Sequence, residues 1–206
     1  MSKRNYSAVE IIEQIDEHIR NLYNTRALCP TLKKDMIGHT QYCTAPFYRA
    51  EGYDAIVKFA EPLTDQKIDG LNDAGHWINQ GFVVRLAALL QSCQIIGTKG
   101  SGIQLIPGLD GYEEVSILRE LRNAFAHSSG KYDSTDSDKR KLYNRVIKHF
   151  SLDPKQYPED DGKFPIPIDK VLVPLAEGCK KYVRAVHQQG ILRDTPLPRR
   201  IPNETD

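Results

Sequence analysis

The stretch AGHWINQGFVVRLAALLQSCQII, from about residue 73 to 96, constrains the fold of this chain more than any other. It carries Trp77, Ile78, Phe82, Val83, Leu86, Leu89, Leu90, Cys93 and Ile96 at helical spacing, an apolar surface broad enough for a helix at the centre of a bundle. Gly97 is expected to end it. The rest of the chain must supply partners for that surface.

Five further helices are predicted. From about residue 7 to 26, Val9, Ile11, Ile12, Ile15, Ile19, Leu22 and Tyr23 recur at helical spacing, with Ser7 as N-cap and Glu10 completing a capping box. The segment FYRAEGYDAIVKFAEP predicts a helix that stops at Pro62. Another is expected at 112–128, followed by the solvated turn YDSTDSD and a short helix over about 137–150. The last runs from about 169 to 189, with Pro174 in its first turns. There is no strand alternation, internal repeat or heptad array. The expected fold class is all-α, a helical bundle in one domain over residues 1–190, with 191–206 an extended or disordered tail.

Charge is balanced, 28 Lys+Arg against 27 Asp+Glu in 206 residues, so any nucleic-acid site has to be local rather than a property of the whole surface. No apolar run is long enough to cross a bilayer, and MSKRNYSAVEII lacks the core of a signal peptide, which leads to an expectation of a cytoplasmic protein. Cys29, His39 and Cys43 match no common zinc spacing, so reduced thiols are the expected state and no metal or cofactor is expected. The loop GTKGSGIQLIPGLDG opens on Gly97, Gly100 and Gly102, but without GK[ST] and without a preceding strand it reads as an interhelical connection rather than a phosphate loop.

The decapeptide LRELRNAFAH, residues 118–127, carries the functional signal. At about 100° per residue, Ile117, Leu118, Leu121, Ala124 and Phe125 fall in one arc of roughly 120°, which must be buried. Arg119, Arg122, Asn123, Ala126 and His127 take the other side. Arg122 and His127 stand about 140° apart around the axis, too far to close on each other within one helix. Two such helices packed across a twofold axis would bring the arginine of one toward the histidine of the other, with Ala126 permitting the approach.

The segment Arg122-Asn-Ala-Phe-Ala-His127 resembles the Arg-x(4 to 6)-His signature of the HEPN superfamily, in its R-N-x-x-x-H form. The resemblance covers six residues, together with their place on a late helix of an all-helical chain. It implies a metal-independent RNA endonuclease of the toxin or antiphage-defence kind, a homodimer whose active site is shared between two copies, with RNA as substrate and an antitoxin or regulatory protein as a further partner. One departure is clear: toxins paired with nucleotidyltransferase antitoxins commonly continue as His-x-Tyr, whereas His127 is followed by Ser128, Ser129 and Gly130, and Tyr132 comes too late for that pattern.

On this resemblance His127 is the general base or acid, since an imidazole with an ordinary pKa of about 6.5 exchanges protons near neutrality. Arg122 holds the phosphate with a permanently charged, forked guanidinium. Asn123 orients His127 or a phosphate oxygen through its amide. Arg119, Lys131 and Tyr132 are the expected RNA contacts, by charge and by stacking. The alternative is a non-catalytic helical dimer that holds RNA, a nucleotide or a protein partner.

Overall fold

The computed structural model describes residues 7–44, 54–97, 103–127, 132–159 and 164–190, with His127 described by its backbone alone. Five α-helices dominate: α1 (Ala8–Leu28), α2 (Asp65–Ser92), α3 (Tyr112–His127), α4 (Ser137–His149) and α5 (Val173–Gln188). A hairpin of β1 (Gln41–Cys43) and β2 (Ile56–Lys58) stands beside them. The predominantly helical class is as expected. Among the described residues no helix is long and apolar enough to cross a membrane.

The start of α1 follows the local sequence. Ser7 Oγ accepts from Glu10 N at 3.2 Å while Glu10 Oε2 accepts from Ser7 N at 2.9 Å, so two amides that the helix cannot satisfy itself are paired, worth about 1 kcal/mol. Ile11, Ile15, Ile19 and Leu22 then turn one stripe inward, against α2 and α5. Midway along α5, Lys180 is 7% exposed and donates to Asp16 of α1 at 2.7 Å. A lysine so buried stays charged because Asp16 and Glu177 outweigh the cost of desolvation.

The central helix is longer than the spacing predicts. It begins at Asp65, where Thr64 Oγ1 accepts from Lys67 N at 3.3 Å, and it ends at Ser92 rather than Gly97. The end is made by Gln94 in the left-handed region, φ 59°, with Ile95 N donating back to Leu90 O at 2.9 Å. Phe82, Val83, Leu86 and Leu90 are fully buried, but Trp77 is not part of that surface: it is 74% exposed.

The expected helix before Pro62 is a correction. Residues 47–53 of that segment lie outside the described residues, and the part that is described forms β2, antiparallel to β1, with Tyr42 opposite Val57. Tyr42 and Phe59 pack with Met36 and Leu71 over Leu32, Leu63 and Ile68, a small second core at the start of α2. Asn72 of α2 holds that corner in place, accepting from Leu32 N at 2.8 Å and donating to Leu32 O at 3.0 Å.

The last helix is entered through a wide π-type turn, Ile168–Leu172, which the spacing did not suggest, and Pro174 follows in the first turn of α5. α3 and α5 come unusually close. Gly111, φ 80°, lies against Gly178, and a β-carbon on Gly111 would stand 2.0 Å from Gly178 O and 2.7 Å from Tyr182 N. Neither position has room for a side chain, so the backbones themselves make the contact. The expected loop at Gly97 to Gly102, beyond Gly97 itself, and the tail at 191–206 lie outside the described residues.

Candidate functional site

The helix that carries LRELRNAFAH is α3, and its buried stripe is the expected one: Ile117, Leu118 and Leu121 are fully buried, Phe125 is 7% exposed, and Ala124 is half-buried. Val115 joins them. This stripe packs against α2 and α5. Burying each such aliphatic side chain is worth about 1.5–3 kcal/mol, which fixes the rotation of α3 and therefore which residues face out.

A clamp from α4 sets the other flank. Arg145 donates from Nε to Glu113 at 3.0 Å, from Nη2 to Ser116 at 2.9 Å, and from Nη1 to Glu120. His149 Nε2 lies 3.2 Å from Glu114 Oε1. Glu113 and Glu114 stand in the first turn of α3, where the helix dipole favours them, so the clamp engages carboxylates already stabilised by position. Burial works against the charge of Arg145, and Glu113 and Glu120 more than restore it.

With α3 held on these sides, Arg119, Asn123 and Ala126 are exposed and Arg122 is half-buried. Arg122 Nη1 donates to Asn123 Oδ1 at 3.1 Å, so the amide braces the guanidinium. Among the described residues no carboxylate pairs with Arg85, Arg119 or Arg122. The structure thus brings Arg122 and Asn123 together and places the backbone of His127 at the end of the same helix. His127's side chain and Lys131 are outside the described residues.

The flanks of α3 differ in charge. Toward α4, Asn123 and Ala124 line a groove with Glu120, Asp136, Asp138, Lys139 and Lys141, a mixed surface with three carboxylates. Toward α2, Phe125 closes a groove with Trp77, Gln80, Gly81, Val84 and Arg85, whose one charge among the described residues is positive. Arg122, three residues before Phe125, belongs by helical spacing to this second side.

Tyr132 is a correction. It is 3% exposed, with its ring 5.6 Å from Phe164 and 5.7 Å from Tyr143, and its hydroxyl bonds to Glu159. Burial, then that carboxylate, pushes its pKa up. A ring enclosed in this way has no face left for a base, and Tyr132 anchors the chain after α3 instead. Phe125 reaches the same cluster, 6.1 Å from Phe164, so His127 falls between two fixed points in the sequence.

The cysteines are individually occupied. Cys29 Sγ donates to Leu71 O at 3.5 Å and Cys43 Sγ to Asp54 at 3.1 Å, and among the described residues no three His, Cys, Asp or Glu side chains group to hold an ion. Cys93 and Cys179 are buried. Burial pushes the Cys93 thiol up to about 11 and raises that of Cys179 also. With a thiol-specific chromogenic reagent at pH 8, Cys43 is expected to react within minutes and Cys93 and Cys179 only after denaturation; rapid reaction of all four would contradict this burial. Because the folded chain keeps the Cys93 proton that the unfolded chain loses at about pH 8.5, this thiol contributes stability below that pH, which is lost as pH rises toward 11. Urea midpoints measured between pH 8 and 11 should fall accordingly.

No protein-family model, curated protein or solved structure matches this chain. The functional reading therefore rests on the residues of α3 and their surroundings.

Proposed function

We propose that the protein is a metal-independent RNA endonuclease of the HEPN kind, acting as a homodimer with a composite active site, in the role of a toxin or antiphage effector. The observation that carries this reading is the pairing of Arg122 with Asn123, 3.1 Å apart, on the solvent side of the helix that His127 ends. Both lie outside the buried stripe, so this polar surface is left over for another purpose once the core is satisfied.

In the proposed reaction His127 takes the proton of a ribose 2′-hydroxyl. The 2′-oxygen attacks the adjacent phosphorus, the bond from phosphorus to the 5′-oxygen breaks, and the departing oxygen takes a proton from the imidazolium. The products are a 2′,3′-cyclic phosphate and a 5′-hydroxyl end. Arg122 offers paired N–H donors to the non-bridging oxygens, whose negative charge grows in the transition state. Asn123 keeps the guanidinium in place through its Oδ1, and Arg119 extends the positive surface.

The second reading is a helical dimer that binds RNA or a partner without cutting it. The carboxylates of Glu120, Asp136 and Asp138 beside Asn123 favour its partner-binding form, because they repel a phosphate approaching from the α4 side. Incubation of the protein with single-stranded RNA in EDTA separates the two readings. Cyclic-phosphate ends on the products support the nuclease, whereas intact RNA across varied sequences rejects it.

A further inference from the structure

Trp77 is the sole tryptophan of the chain and the most exposed large apolar side chain among the described residues, at 74%. It stands on α2, in the middle of a helix whose other face forms the core. Gly81, one turn on, leaves a gap in the surface, and the Arg85 guanidinium folds back over it: a β-carbon at Gly81 would stand 3.5 Å from Arg85 Nη2 and 3.8 Å from its Cζ. Trp77, Gly81 and Arg85 thus make one line along α2, at intervals of about 6 Å. Phe125 of α3 forms the adjoining wall, with Gln80 and Val84, and the groove measures about 410 Å³.

An exposed indole beside a guanidinium that has no carboxylate partner is a surface with two unmet interactions. The indole offers a flat apolar face, and the cation offers forked donors. A base followed by a phosphate supplies both complements at this separation. A second copy of the chain would bring an apolar face but leave the guanidinium desolvated. The sign of the charge argues the same way, since the groove on the α4 side of α3 holds three carboxylates and this one holds none among the described residues.

We propose that the groove between α2 and α3 binds single-stranded RNA, with a base stacked on the Trp77 indole and the neighbouring phosphate held by Arg85. The choice of RNA rests on the nuclease reading. The strand then passes Phe125 and reaches Arg122 within one turn of α3, which makes the groove an approach to the proposed active site.

Trp77 reports on its own groove. The test is titration of the full chain with a single-stranded 2′-O-methyl oligonucleotide, which has no 2′-hydroxyl and cannot be cut by the proposed route. The expected result is saturable quenching of tryptophan emission that weakens with salt. By anisotropy of the same labelled oligonucleotide, Trp77→Ala and Arg85→Glu should each lose about tenfold in affinity, with Trp77→Phe retaining most of it. Both side chains are exposed, so unchanged thermal unfolding of the variants is the control for folding.

Unmoved emission, or variants that bind as well as the wild type, would overturn the proposal. So would an emission change that follows protein concentration without RNA, together with loss of a sedimenting dimer in Trp77→Ala, because a second copy would then occupy the face. Quenching without cleavage of ordinary RNA retains the groove and rejects the nuclease. Cleavage without quenching does the reverse.

Discussion

His127→Ala should lower the rate of RNA cleavage by about a thousandfold, the ordinary contribution of a positioned proton-transfer group, and Arg122→Ala by roughly 10² to 10³. The variants differ in what they retain. Each leaves the buried stripe of α3 untouched, so both should fold as the wild type does and, on the proposed function, form the same dimer. Mixing them tests the shared site directly. If an arginine from one copy works with a histidine from the other, half of the randomly re-formed dimers carry one intact pair, and about a quarter of the wild-type activity should return. A mixture that stays inactive while its subunits demonstrably exchange would rule out the composite site. Either single variant cutting RNA at the wild-type rate would remove that residue from the mechanism.

The largest expected effect on stability comes from a position remote from this chemistry. Gly111→Ala should lower stability by about 4 kcal/mol, combining a left-handed backbone at φ 80° with a methyl group driven to 2.0 Å from Gly178 O. For a chain of this size that amounts to a fall of roughly 8–16 °C in Tm. The neighbouring Gly108, φ 82°, has nothing within 4 Å of a β-carbon, so Gly108→Ala isolates the backbone strain and should cost only about 1 kcal/mol. Far-UV circular dichroism melts of the two variants make the comparison. Equal melting temperatures would mean that α3 can move off α5 without penalty, contrary to the contact described.

What could be read from the sequence was local. Ser7 and Glu10 interact across three residues, and the stripe Ile117, Leu118, Leu121 and Phe125 repeats within four turns, so α1 and α3 are legible without knowledge of any neighbour. The hairpin is not legible, because strands of three residues are too short to show alternation and their pairing is a property of two separated segments. Tyr132 stands among polar residues and is buried only because Tyr143 and Phe164 come to meet it.

Trp77 was within reach. Nine residues separate it from Leu86, two and a half helical turns, which puts the two on opposite sides of α2. Its chemical type suggests the core, and its angle on the helix does not. By angle it is an aromatic ring that α2 turns outward, beside the helix whose polar side is legible from the sequence.

The ion pair of Lys180 with Asp16 spans 164 residues of chain. The stripe of α1 needs α5 as one of its walls, yet at the ribosome α1 emerges long before α5 exists. During that interval Ile11, Ile15, Ile19 and Leu22 have α2 but not α5 to shelter them. Closure of the bundle is therefore a late event in the life of the nascent chain, and the interval before it is when these side chains are open to chaperones or to self-association.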